Sequence, residues 1–130
     1  MIKKKAIGQS LVEFALIIPI LLLLILGALE LGRLFYIKVA LHNAAREGAY
    51  YLTYNPGDIE GMKGAIVMEG TSVGVNIDPD NDITWNNCCN LGDYVEVEVR
   101  QDNVSLFIFG FITGEVDLSS KVRMMVQNGT

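Results

Sequence analysis

The sequence predicts an α+β chain. A long amino-terminal transmembrane helix continues into a small domain with a short second helix and an antiparallel sheet of about 3–4 strands. Three observations predict it. Phe14–Leu29 is an uncharged apolar run of sixteen residues. Leu34, Ile37, Leu41, Ala44, Gly48 and Tyr51 then recur at spacings of three and four, a seam along one helix face. Beyond residue 72, apolar and polar residues alternate with a period of two, as half-buried strands do.

The helix comes first. A span takes about 20 mostly apolar residues, and adding Leu11, Val12 and Leu31 to the run gives a transmembrane part of about 11–31. Glu13 and Glu30 fall inside it. Glu30 at headgroup level can pair with Arg33 one turn on. Three readings compete for the run. A cleaved secretory signal would explain the basic start, Lys3, Lys4 and Lys5, but no small-x-small exit follows Leu29. A buried core helix is disfavoured, because the run is apolar all round and 130 residues build little core in which to hide it. A membrane anchor fits both length and composition. The lysine cluster favours a cytoplasmic amino end and an extracytoplasmic carboxyl-terminal domain, with Arg33 and Lys38 weighing the other way.

No proline occurs from Ile20 to Asn55, so the helix extends over 9–54. At 1.5 Å per residue that is roughly 65–70 Å, against about 30 Å of hydrocarbon. The outer part must pack on its own domain, while the inner part has only lipid or other helices as neighbours. Small residues recur every four positions, Ala28 with Gly32, then Ala40, Ala44 and Gly48, and such spacing lets helices approach closely in lipid. Pro19 removes one backbone hydrogen bond and loosens or kinks the helix.

Residues 55–130 form the outer α+β domain. Asn55-Pro56-Gly57-Asp58 reads as a break and a helix start, with Asn55 as cap, Pro56 at the first helical position and Asp58 in a capping box. Ile59, Met62 and Ile66 mark its apolar face, and Gly70 its end. Strands are expected at Val73–Ile77, Asp82–Asn86, around Val95, Val97 and Val99, and from Val116 to Val126. Glu96 and Glu98 can face Lys121 and Arg123 across the sheet. The apolar cluster Leu106–Ile112 is too short to span a membrane. It reads as a core strand or turn under the helix, or as an exposed patch for a neighbouring subunit or the outer bilayer surface.

Composition excludes several functions. The formal net charge of −5 is split: residues 1–50 carry six basic and three acidic residues, residues 51–130 four basic and twelve acidic. The acidic half repels nucleic acid, which is bound through Lys and Arg. His42 is the only histidine, and no sequence pattern places a serine or cysteine beside it as a nucleophile. There is neither a Walker loop nor a dinucleotide fingerprint. The chain is therefore read as no enzyme, with no catalytic residues and no cofactor. Asp78-Pro79-Asp80-Asn81-Asp82 has alternating carboxylates, but Ile83 and Cys89 stand where a calcium loop needs Gly and Glu, so a solvated turn is expected. Cys88 and Cys89 are adjacent, and a bridge between them closes a strained ring. A disulfide to another chain and two free buried thiols both remain open. Without a neighbouring histidine or a second cysteine pair, they make no zinc site.

The stretch Gly8-Gln9-Ser10-Leu11-Val12-Glu13-Phe14-Ala15-Leu16, then Pro19, Glu30-Leu31-Gly32-Arg33 and Ala44-Ala45-Arg46-Glu47-Gly48-Ala49 resembles the TadE-like family, the pilin-like proteins of the tight-adherence (Tad) pilus. The resemblance covers roughly the first 50 residues. It implies a prepilin pathway: a basic leader, residues 1–8, removed by a membrane prepilin peptidase that cuts between Gly8 and Gln9. Glu13 would become the fifth residue of the mature chain, where pilins typically carry glutamate. A carboxylate in a membrane helix needs a partner. The free ammonium of Gln9 on a neighbouring subunit can be that partner, or Glu13 snorkels among headgroups. The implied partners are the lipid bilayer, other pilin-like subunits and, indirectly, a membrane platform with its assembly ATPase. The implied role is a minor pilin or pseudopilin-like subunit of a Tad-type, type IV-like pilus or secretion apparatus, acting in assembly, adhesion or secretion through helix packing. The alternatives are a membrane-anchored accessory scaffold that is not polymerised, and an unrelated single-pass protein whose outer domain binds a ligand.

Overall fold

Fifty consecutive residues, Lys5–Tyr54, form one helix, α1, in the computed structural model, which describes residues 5–86, 90–108 and 112–127. At 1.5 Å per residue α1 is about 75 Å long. It starts four residues before the expected Gln9. Lys3, Lys4, Cys88, Cys89 and residues 109–111 of the apolar cluster lie outside the described residues, as does the side chain of Lys5.

The seam predicted on the outer part of α1 faces the rest of the chain. Leu41, Ala44 and Gly48 are buried, and Leu34, Ile37 and Tyr51 are half-buried. A short link turns the chain at Gly57, whose φ of +90° suits glycine. Helix α2 then covers Ile59–Ser72. Its cap is Asp58 rather than Asn55: the Asp58 carboxylate accepts from the Gly61 N–H at 3.0 Å and from the Tyr51 hydroxyl at 2.6 Å. The left-handed Gly57 is the reason, because a helix cannot begin at Pro56 and run through it. Met62, Ile66 and Gly70 face inward as expected.

Gly70 does not end α2, and Val73–Ile77 is not a strand. The helix continues to Ser72, where the Val73 and Val75 N–H groups turn back to the Gly70 carbonyl. Gly74, at φ +75°, reverses the chain. Val75 and Ile77 are buried all the same, as an extended segment folded over the end of α2. Burying alternate residues requires extension, not a ladder partner, and the sequence pattern does not separate the two.

The sheet has three antiparallel strands, β1 (Ile83–Asn86), β2 (Tyr94–Ile108) and β3 (Ile112–Met125), in the order β1-β2-β3. Val95, Val97 and Val99 of the middle strand are buried and alternate with Glu96, Glu98 and Arg100. Between Gln101 and Val104 a bulge adds one residue to β2. Asn103 there has a φ of 58°, and its N–H donates to Asp117 Oδ1 at 3.0 Å. The extra residue shifts the phase, so inward positions are odd-numbered before it and Val104 is buried after it. One core joins the outer part of α1, α2 and the inner sheet face. Gly48 sets the closest approach of the helices: a β-carbon there would stand 2.5 Å from Ile66 Cδ1.

Candidate assembly surface

The structure divides α1 into two parts with different neighbours. From Leu11 to Leu31 its large apolar side chains are exposed on every side. Among the described residues nothing buries the most apolar part of this span. In water such a surface is a large hydrophobic penalty; in lipid it is none. Gly8, Gln9 and Glu13 are exposed at the start of this part. α1 runs through Pro19, which has no N–H to give the Ala15 carbonyl.

The stripe of small residues is divided too. Ala28 and Gly32 are exposed, and the space beside Gly32 is open. Ala40, Ala44 and Gly48 are buried in the chain's own core. Only the first pair is therefore free to meet another helix.

Four polar contacts lash the middle of α1 to the β2–β3 hairpin. Glu30 Oε1 accepts from Arg33 Nη2 at 2.7 Å and from the Phe107 N–H at 3.2 Å. Arg33 also donates to the Ser105 carbonyl, and Lys38 Nζ donates to the Ser119 carbonyl. His42 Nδ1 is hydrogen-bonded to Ser120 Oγ at 3.1 Å. The sequence predicts the Glu30–Arg33 pair, but no periodicity announces the contacts to Ser105, Phe107 or Ser120, which lie more than 70 positions away. Ser120 is only 7% exposed, under the helix, so the histidine joins helix to sheet there.

The outer face is polar and cross-linked. Lys121 reaches Glu96 at 3.1 Å and Glu98 at 3.6 Å, as the register Glu98↔Lys121 allows. These carboxylates hold the Lys121 ammonium above its ordinary range. Arg123, opposite Glu96, lies instead over the Tyr94 ring, 4.3 Å from its centroid. The acidic turn closes on itself: Asp78 Oδ1 accepts from the Asp80 and Asn81 N–H groups at 2.9 and 3.3 Å, and Oδ2 from the Asn81 side chain. Those bonds keep the Asp78 carboxyl below its usual range. Lys63 caps the turn through Asp80 at 2.9 Å. Among the described residues no group of three or more His, Cys, Asp or Glu side chains is arranged to hold a metal.

The apolar, exposed half of α1 and the seam behind it fall within one recognisable unit. Residues 8–49 match the family model described as TadE-like protein. Over this stretch the chain is similar to TadE-like proteins. No curated protein and no solved structure matches the chain. The match covers 42 of the 130 residues. It includes Gly8, Gln9, Glu13, Pro19, Ala28, Gly32, Ala40, Ala44 and Gly48. α2 and the sheet lie outside the match.

Proposed function

We propose that the chain is a minor pilin-like or pseudopilin-like subunit of a Tad-type pilus or secretion apparatus, assembled through the membrane part of α1. The observation that carries this reading is the coincidence of the TadE-like match with a helix segment, 11–31, whose large apolar side chains are exposed among the described residues. Such a surface is complete in lipid and equally able to pack on like helices, so one segment serves first as anchor and then as assembly surface. In this reading the amino end is cytoplasmic, residues 55–130 are extracytoplasmic, and a prepilin peptidase cuts after Gly8. Removing residues 1–8 deletes Lys3, Lys4 and Lys5 and leaves a free ammonium at Gln9. Gln9 and Glu13 lie four residues apart on α1, about 6 Å along its axis. An axial stagger of neighbouring helices brings the ammonium of one subunit to the carboxylate of the next, neutralising a charge that is costly in hydrocarbon. Ala28 and Gly32 offer close approach to a second helix.

The test is the intact mass and amino-terminal sequence of the protein from membranes of its native host. A chain beginning at Gln9 is expected. A chain that retains Lys3, Lys4 and Lys5 in cells with active prepilin peptidase would overturn the processing step. Sheared surface filaments then decide polymerisation: presence there supports a subunit, and retention with the membrane fraction supports the unpolymerised scaffold.

A further inference from the structure

The end of the β2–β3 hairpin that meets Glu30 of α1 stands out by its lack of charge. Along most of their length the two strands alternate valines with Glu96, Glu98, Arg100, Lys121 and Arg123. Residues 103–114, the end where the strands meet, carry no charged side chain. Phe107, in this stretch, is 63% exposed.

Its height along α1 is fixed by a contact. The Phe107 N–H donates to Glu30 Oε1 at 3.2 Å. Glu30 immediately follows the uncharged run Phe14–Leu29. From Leu11 to Leu31 the helix rises roughly 30 Å at 1.5 Å per residue, the thickness of a hydrocarbon core. Phe107 therefore lies where α1 leaves the bilayer.

The polar groups at that height are occupied with one another. The Glu30 side chain is only 13% exposed and is held by Arg33 and the Phe107 N–H. Arg33 in turn also donates to the Ser105 carbonyl. Among the described side chains of the hairpin end, Phe107 faces outward, an apolar ring of the kind interfacial segments bury at the headgroup–acyl boundary.

We propose that the hairpin end is a second membrane contact, with Leu106 and Phe107 resting on the headgroup–acyl boundary of the outer leaflet beside α1. The proposal rests on α1 being the membrane anchor. It makes the domain two-footed: the helix crosses the bilayer and the hairpin sits on it, which fixes the tilt and rotation of the domain about α1. The occupant is lipid because the surface is uncharged and level with the end of the apolar span. It is reached in a single subunit without any assembly.

Depth-dependent fluorescence quenching tests it, using the full chain in vesicles that contain lipids brominated either near the carboxyl end or near the methyl end of their acyl chains. The native tryptophan, Trp85, pairs with Val97, ten residues before Phe107 on β2 and so roughly 33 Å from it along the strand. Two reporters are placed in a Trp85→Phe background: Leu22→Trp for the helix and Phe107→Trp for the hairpin. Strong quenching of the helix reporter by deep bromines, of the hairpin reporter by shallow bromines, and of native Trp85 by neither is expected. A quenched helix reporter with an unquenched hairpin reporter overturns the second contact and leaves the anchor standing. Quenching of neither reporter overturns the anchor and the proposal together. A blue shift at position 107 that grows with protein density, without bromine quenching, assigns the surface to a second copy of the chain and also overturns the proposal.

Discussion

Adding one methyl group at Gly48 should change sign in its effect on stability, depending on residue 66. An alanine β-carbon at 48 would stand 2.5 Å from Ile66 Cδ1 and Cγ1 and 3.4 Å from Met62 Cγ. Ile66 and Met62 are fully buried. The Cδ1 contact can be relieved by rotation about χ2, but Cγ1 moves only by rotation about χ1, which a β-branched residue in a helix holds near one rotamer, or by a shift of α2. Overpacking of this kind costs about 1–3 kcal/mol, and the fixed Cγ1 places Gly48→Ala near the upper end. Alanine recovers about 1 kcal/mol of helix propensity over glycine. The net expectation is a loss of about 2 kcal/mol. Ile66→Ala alone should cost about 2–5 kcal/mol through the cavity it opens. In that background the clash is gone, and Gly48→Ala should stabilise by about 1 kcal/mol. The coupling between the sites is then about 3 kcal/mol. Urea unfolding of the full chain in mild detergent measures it. Trp85 fluorescence is the readout, because Lys63 of α2 lies 5.5 Å from the Trp85 ring centroid and α2 leaves the sheet on unfolding. Equal effects of Gly48→Ala in both backgrounds would refute the close approach of α1 and α2.

Two further outcomes are expected. Asp58 accepts from Tyr51 and Gly61, and these bonds hold its carboxyl below the ordinary range. Its contribution to stability is therefore present above the unfolded value, about pH 4, and is lost as pH falls through the lower folded value. Asp58→Asn should lower stability at neutral pH and flatten its acid dependence, read as melting temperature against pH; an unchanged acid slope would count against the cap. Glu13→Gln should leave membrane insertion intact, measured by resistance to alkaline extraction, and reduce recovery in sheared filaments. Normal recovery would remove the charge-pairing role.

The parts of this fold that were legible in the sequence are those fixed by local periodicity. The seam from Leu34 to Tyr51 and the inward Val95, Val97 and Val99 follow directly from turn and pleat geometry. The run Phe14–Leu29 announces its own environment. Val73–Ile77 misled because burial of alternate residues does not reveal whether the backbone has a ladder partner. The cap was misplaced because two capping side chains, Asn55 and Asp58, stand within four positions, and the left-handed Gly57 decides between them. The bulge at Gln101/Val104 was invisible, since one added residue leaves no compositional trace. For the candidate surface, Glu13, Ala28 and Gly32 were found by type and spacing, and the structure leaves them exposed. That Ala40, Ala44 and Gly48 are consumed internally required tertiary contacts. So did the Glu30–Phe107 link, whose partners are 77 residues apart.

The position of Val126 bears on how the ends of the domain are held together. Val126 is buried, and the Gln127 N–H donates to the Thr53 carbonyl near the end of α1. The outer end of α1 is thus joined to residues just past β3, more than 70 positions away in sequence. Contacts of such separation pay their loop-closure entropy late and make folding slow. Leu41, Ala44, Ala45 and Leu52 of α1 share one core with Met62 and Ile66 of α2 and Val95, Val97 and Val99 of β2. The last residues of the domain thus fasten the outer end of the first helix, and loosening the one should loosen the other.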